Sequence, residues 1–509
     1  MNLSVLDAVV LTTYFGLLFA MGVYFSTKNN STEEYFLGGR RFKGWVVGLS
    51  LVGTSISSIT FLAYPGDAFK TAWLRFLPNL MLPIAIILAA YYFLPRLRRG
   101  DSITAYEFLE TRFGPSIRVY GACAFIVAQV VRVSLILYLI SLVLQQVTGL
   151  SEYWCIVGAG CIVVLYTIIG GIDAVIWTDV LQTIVLLLGG MVCLAVIVTA
   201  LPGGFSQIID VANQEGKLAF SEFTNGELSN VSWHFSLSEK TATMMLFIGL
   251  ISWLTEYSSN QNTIQRFNAV KSEAEARKAM YICAAVSLPT WAFFMFLGTA
   301  LYVFFDSFPA TAATQILEGT RKAEEILPYF IIHHLPDGLI GLVLAAALAA
   351  AMSSLDSSIN SISTVSISDL YRRHINKQAN DTHYLWAARG IGIVVGALMI
   401  VGAVLLNITE TKTLQDTATI LTSLLAGGLL SIYAIGFFSE RGDSRHVIAG
   451  IAGTMVFTLW TVLSSRGYMP DLLTYPFDLY YTGLIGNIVM FVITFGLSLM
   501  FPFKKMTTT

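Results

Sequence analysis

The sequence predicts an all-α integral membrane protein of about 13 transmembrane helices. Three observations carry that class. Hydrophobic residues make up 55% of the chain and charged residues 12%, about half the charged share of a soluble domain. Apolar runs long enough to cross about 30 Å of hydrocarbon recur from end to end. The basic residues crowd into alternate connections between those runs.

Candidate spans lie near 5–25, 45–66, 73–95, 117–147, 152–170, 175–201, 241–265, 277–305, 326–358, 386–407, 414–438, 446–464 and 477–501. The first has no basic segment before it and no small-residue cleavage site after it, so it reads as a helix rather than a signal peptide. An odd number of spans puts the termini on opposite sides. One side collects Lys28, Arg40, Arg41 and Lys43, then Arg96, Arg98, Arg99, Arg112 and Arg118. Arg266, Lys271, Arg277 and Lys278 follow, then Arg372, Arg373, Lys377, Arg389, Arg441, Arg445, Lys504 and Lys505, which makes 21. The other side holds 7: Lys70, Lys217, Lys240, Arg321, Lys322, Lys412 and Arg466. That excess predicts a multi-pass plasma-membrane (inner-membrane) protein with its N-terminus outside and its C-terminus in the cytoplasm. Loops near 202–240 and 306–325 then lie outside, placed to cap an entrance. No segment suits a separate soluble domain, so residues 1–509 read as one transmembrane domain.

Composition also excludes function classes. A net charge of −2 gives no footprint for nucleic acid. The cysteines Cys123, Cys155, Cys161, Cys193 and Cys283 sit in apolar segments without metal-ligand spacing and read as packing residues. His234, His333 and His334 fall in outside loops, and no span carries a nucleophile–base pair. No enzyme and no cofactor is expected; the partners are the bilayer, a small-molecule substrate and ions.

Two spans are interrupted by their own sequence. Span two carries Gly53 among the hydroxyls of Ser50, Thr54, Ser55, Ser57, Ser58 and Thr60, which weakens a helix and offers its backbone other partners. Span seven ends in a polar stretch from Glu256 to Arg266. Broken helices five spans apart point to a transporter built from two inverted five-helix repeats. Repeat one would cover 45–201 and repeat two 241–438, with 5–25 as an extra first helix and 446–501 as two extra C-terminal helices. For span seven, a plain loop boundary fits the same residues.

The ninth span ends in a run of hydroxyls. Ser353, Asp356, Ser357 and Asn360 share one helix face, and Ser354, Ser358 and Ser361 another. Lipid solvates neither, so these faces must meet protein or a wet cavity. Oxygen ligands with an acid suit a small hard cation; a helix interface glued by small polar residues is the alternative. Arg132 lies far from either end of an apolar span. An intramembrane arginine faces the bundle interior, and its planar fork matches a carboxylate. A helix carbonyl or an acid such as Glu256 is the alternative partner.

The chain resembles the sodium/solute symporter family, most closely its bacterial sialic-acid and organic-anion branch. The resemblance rests on Tyr35–Arg40, Ile103–Leu109, Gly170–Thr183, Asn260-Gln261 with Gln265-Arg266, and the serine run from Ser353. It implies a leucine-transporter-type core of five plus five helices working by alternating access, with Na+ as the coupling ion. It also implies a common sodium site at Gly53, Ile56, Ala350, Ser353 and Ser354, and an additional one at Asp179, Ser353, Asp356 and Ser357. Asp356 departs from the serine or threonine of the family pattern; the extra carboxylate would tighten sodium binding or carry a proton. Asp179 near the start of its span also fits an ordinary solvated acid. The resemblance places the substrate carboxylate on Arg132, beside Ser55, Ser57, Thr60 and Asn79. Arg75 stands where the family has an aromatic residue, and either binds a second acidic group or snorkels to the headgroups. The sugar-transporting branch has a lysine before a proline on span eight, where this chain reads Val286-Ser287-Leu288-Pro289. The expectation is a sodium-coupled importer of a small anionic solute, such as a sialic acid, sugar acid or other carboxylate. A neutral sugar or polyol symporter is the alternative, and a membrane sensor or channel on the same scaffold a remoter one.

Overall fold

The computed structural model describes residues 4–26, 31–98, 102–224, 227–408, 428–465 and 467–501. Lys28, Arg99, Lys412, Arg466, Lys504, Lys505 and most of the 414–438 span lie outside them. In chain order the helices are α1 (Val5–Ser26), α2 (Gly44–Ser55), α3 (Ile59–Lys70), α4 (Leu74–Leu97), α5 (Glu107–Phe113) and α6 (Pro115–Thr148). There follow α7 (Glu152–Ile168), α8 (Gly170–Ala200), α9 (Ala242–Ser259), α10 (Gln261–Ala269) and α11 (Glu273–Ser307). The chain closes with α12 (Leu339–Ile375), α13 (Asp381–Asn407), α14 (Leu429–Phe438), α15 (Ser444–Ser465) and α16 (Leu479–Met500). Among the described residues, nine helices are long and apolar enough to cross a membrane, and α2 with α3 makes a tenth span bent by 59°. The shorter apolar helices α7 and α14 add two partial spans.

Both expected breaks are present, and they are built alike. After Ser55 the backbone turns extended at Ile56 (φ −100, ψ 110), and Ser57 Oγ accepts from Ile59 N at 3.2 Å to start α3. After Ser259 it turns extended at Asn260 (φ −83, ψ 118), whose Oδ1 accepts from Asn262 N at 2.9 Å to start α10. In each break a short polar side chain two residues upstream caps the second half-helix, satisfying a donor the break orphans.

The ninth span differs from its expected bounds of 326–358. Residues Ile326–His334 form a separate helix, and Gly338 (φ 86) turns the chain before α12 begins. The serine run does not end α12, because every residue from Val343 to Val365 is buried in protein. Backbone and hydroxyls there meet other helices rather than lipid.

Two glycines fix how α8 meets the core. Gly171 (φ 61, ψ −167) turns α7 into α8, a conformation open to few residues but glycine. A Cβ on Gly53 would stand 2.9 Å from Thr183 Oγ1 and 3.1 Å from Asp179 O, so glycine lets α2 lie directly on α8. The extra helix α1 packs on α8 and α12. Its Asp7 Oδ1 accepts from Gly338 N (2.8 Å) and Gly341 N (2.6 Å), an acid at the N-terminus of α12 where the helix dipole favours one. The 202–240 loop carries a two-stranded hairpin, β1 (Ser221–Thr224) and β2 (Glu227–Asn230). Lys217 pins that loop by donating to Phe69 O (2.9 Å) and Thr71 O (3.0 Å) at the end of α3.

Candidate functional site

The break after α2 lies against the middle of α12, where the apolar run gives way to serines. Ser353 Oγ lies 2.9 Å from Gly53 O and 3.4 Å from Ala350 O. Ser354 Oγ donates to Thr54 O at 3.3 Å. With Ile56 at the unwound turn, the five residues expected for the common sodium site fall together. All are buried. Neutral carbonyl and hydroxyl oxygens are a donor set that fits a monovalent hard cation. The Thr54 carbonyl, which the sequence did not single out, lies beside them and accepts from Ser354.

The set expected for an additional sodium site is also brought together, but around a guanidinium. Arg266 Nη2 donates to Asp179 Oδ2 at 2.7 Å and to Ser357 Oγ at 2.6 Å. Its Nε donates to Ser50 Oγ at 2.8 Å, and its Nη1 to Asn262 O at 2.8 Å. Ser50 Oγ donates in turn to Asp179 Oδ2 at 2.5 Å. Arg266 and Asp179 are both 0% exposed, so Asp179 is no solvated acid. Asp356 faces another way: its Oδ2 accepts from Tyr166 Oη at 2.9 Å and its Oδ1 from Ser357 N at 2.6 Å. Sequence reading used Arg266 as part of a motif and counted it among the basic residues of a connection; it is instead fully buried, because Asp179, Ser50 and Ser357 take its guanidinium. Its position one turn past Asn262 on the polar half-helix α10 is the signal that it points inward.

A cavity of about 140 Å³ opens between α6, α9, α14 and α16. Its polar wall includes Gln129, Arg132, Thr255, Glu256, Asn260 and Asn487, and Tyr106, Phe125 and Tyr480 give it aromatic faces. Of the six expected substrate residues, Arg132 alone lines it. Ser57 caps α3. Thr60 Oγ1 accepts from Trp291 Nε1 at 3.3 Å, and Asn79 Nδ2 donates to Tyr64 Oη at 2.9 Å. Ser55 closes α2 beside the break. Arg75 neither lines the cavity nor snorkels: its Nη1 donates to Glu222 of β1 at 3.2 Å, its Nε lies 3.8 Å from Asp67, and it sits over the Tyr480 ring. It fastens the β1–β2 hairpin to the core.

Arg132 does not pair with Glu256. Its Nη2 donates to Thr54 O at 3.2 Å, the carbonyl that also accepts from Ser354. Glu256 instead takes Asn260 Nδ2 at 2.6 Å and Thr263 Oγ1 at 2.7 Å, bridging the α9–α10 break. Gln129, one turn before Arg132, accepts from Asn262 Nδ2 (3.1 Å) and Ser358 Oγ (3.0 Å), tying the cavity wall to α10 and α12. Glu256 is an acid inside an apolar helix, the same signal that picked out Arg132.

Paired broken helices, neutral oxygens gathered at the first break and a cavity lined by Ser259 and Asn260 of the second are the features of an ion-coupled secondary transporter. The model of the sodium:solute symporter family matches residues 35–453, and the chain belongs to that family. It is similar to the sodium/sialic acid symporter SiaT of Proteus mirabilis (strain HI4320), 30% identical over 98% of this chain and 96% of that protein. A solved Na+-coupled sialic acid symporter, substrate-bound and outward-open, superposes with a TM-score of 0.86 at 27% identity over 98% of both chains. Mhp1, a nucleobase-cation-symport-1 transporter, superposes at 0.51 and 15% identity over 94% of this chain and 97% of its own, a likeness of fold alone. The protein is a sodium-coupled symporter and not an enzyme.

Proposed function

We propose that this symporter imports a small organic acid, held through its carboxylate by Arg132, with sodium at Gly53, Ile56, Ala350, Ser353 and Ser354. One observation carries the reading: Thr54 O is shared by Arg132 at 3.2 Å and Ser354 at 3.3 Å. An ion drawing the Ser354 oxygen toward itself frees that carbonyl. The guanidinium beside it then reorients toward the cavity, where a carboxylate matches its fork. Binding of ion and solute are thereby linked, and each strengthens the other by the same factor. SiaT, named for sialic acid, supports an acid of that kind. The distribution of basic residues supports a plasma-membrane orientation with the N-terminus outside.

The energetics suit two ions per anion. Each sodium entering down about 100 mV and a tenfold gradient releases about 3.7 kcal/mol, and one negative charge costs about 2.3 back. One ion would leave about 1.4 kcal/mol; two leave about 5.

A neutral sugar or polyol is the second reading, favoured by Arg132 already donating to a helix carbonyl and by the hydroxyl and amide lining. Thermal stabilisation of the purified protein by sialic acid, uronates, short monocarboxylates, glucose, galactose and inositol, each in sodium and in potassium, separates the two. An acid that stabilises only in sodium is the expected result. A neutral sugar doing so would make Arg132 structural.

A further inference from the structure

A second cavity, of about 570 Å³, opens where α5, the start of α6 and the end of α12 meet. Arg118, Arg372, Arg373, His374 and Lys377 line it, and Glu107 is the one acid among its described lining residues. None of these side chains lines the solute cavity. Sites that take a small organic molecule run to about 300–1,000 Å³, so this one has room for more than a single ion.

The charges around it do not cancel. Asp369 Oδ1 accepts from Arg118 Nε at 2.6 Å, and Glu110 accepts from Arg118 Nη1 at 2.7 Å and from Arg373. Glu107 lies 3.8 Å from Arg118, but its Oε1 is turned to the backbone and accepts from Ile103 N (3.0 Å) and Thr104 N (3.1 Å). Arg372 and Lys377, both exposed, have no carboxylate oxygen of the described residues within 4.0 Å. The Arg372 guanidinium rests over the buried Tyr384 ring at 5.3 Å, which holds its direction. A guanidinium and an ammonium on one cavity, with no acid of their own, match a phosphate, whose oxygens accept from both.

The position of the cavity says where that phosphate comes from. α6 begins at Pro115, α12 ends at Ile375 and α13 begins at Asp381, so the cavity sits where spans leave the hydrocarbon. Ile375, next to His374 of the lining, is 72% exposed, and Trp386 near the start of α13 is 66% exposed. Arg389 lies over the Trp386 ring at 5.2 Å. Exposed apolar and tryptophan side chains among basic residues belong at the headgroup level of a bilayer. We propose that this cavity binds the phosphate of an anionic phospholipid, held by Arg372 and Lys377, with the acyl chains leaving past Ile375. Bound there, the lipid bridges α6 and the end of α12, two helices already joined by Arg118 and Asp369. The site is separate from the solute and sodium sites and does not depend on which solute is carried.

The test is thermal unfolding of the full chain in detergent, titrated with phosphatidylglycerol, phosphatidylcholine or inorganic phosphate. Phosphatidylglycerol should stabilise the wild type saturably, and neither of the others should do so at the same concentration. Arg372→Gln combined with Lys377→Gln leaves the Arg118 network in place and should unfold at the wild-type temperature without lipid. Its half-saturating phosphatidylglycerol concentration should rise about 25-fold, about fivefold for each charge removed. Lys271→Gln combined with Lys278→Gln takes the same charge from exposed positions outside the cavity and should keep the wild-type curve. An equal rise in both double variants would overturn the site, because general surface charge would then be what attracts the lipid. Equal stabilisation by inorganic phosphate would replace the lipid with a soluble anion, and equal stabilisation by phosphatidylcholine would show that the net charge of the headgroup is not read; either result overturns the proposal.

Discussion

Arg266 and Asp179 meet at 2.7 Å with no exposure to solvent on either side chain. The pair joins the half-helix α10 of the second repeat to α8 of the first, across the Ser50 hydroxyl of α2. Breaking one partner of a buried pair leaves an uncompensated charge, at a cost of about 3–5 kcal/mol. Arg266→Leu should therefore lower the thermal midpoint strongly, and adding Asp179→Leu should recover much of the loss. Measured by unfolding in detergent, a double variant no better than the single one would refute a pairwise role.

Ser353→Ala should raise the sodium concentration needed for half-maximal uptake by about tenfold, since it deletes a hydroxyl that touches both Gly53 O and Ala350 O. Ser363 is the control on the same helix. Its hydroxyl donates to Ile359 O at 2.8 Å within α12, so Ser363→Ala should leave the sodium curve in place. Equal shifts in both variants would mean that α12 has merely loosened.

The fold was legible where the sequence bends its own rules. Gly53 amid hydroxyls and Asn260 amid polar residues announced both breaks, because local chemistry makes them: each is closed by a neighbouring side chain. The contact of Ser353 and Ser354 with the end of α2 follows from the same local chemistry, two short polar motifs meeting at the first break. The solute cavity was much less so. Thr60 and Asn79 were expected to face solute, but Trp291 and Tyr64 take their hydrogen bonds. Those partners lie on other helices or other turns, and one sequence does not rank such competition. The reach of Arg266 into the expected ion site and the hold of Glu222 on Arg75 were hidden likewise, as pairings between distant segments.

Acid should loosen one end of the bundle. Glu110 on α5 donates nothing and accepts from Arg118 at 2.7 Å and from Arg373. Partial burial pushes its carboxyl up, but the hydrogen bond and charge of Arg118, with Arg373, outweigh that and hold it below its ordinary 4.5. A depressed carboxylate stabilises above the unfolded value, and the stability is lost as pH falls through the folded one. Glu110→Gln should thus lower the thermal midpoint at pH 7, and the gap from wild type should close as pH drops below 4.5. A gap that stays constant with pH would show that charge is not what holds α5.

Arg132 and Glu256 should separate when solute binding is followed. Both line the cavity, yet Arg132 is tied to the first break through Thr54 O and Glu256 to the second through Asn260 and Thr263. Arg132→Lys keeps the charge but loses the planar fork. It should raise KM for a carboxylate solute about tenfold, the worth of one charge-assisted hydrogen bond, and whatever it takes from sodium's effect on solute binding it should take equally from the solute's effect on sodium binding. Glu256→Gln keeps one acceptor for Thr263 and turns the other into a donor. It should spare the carboxylate end and penalise solutes by the number of hydroxyls they carry, so that a uronate loses more affinity than a short monocarboxylate. Uptake of both acids by both variants measures this. A Glu256→Gln protein that weakens the two acids equally would place Glu256 in the break alone, with no contact to solute.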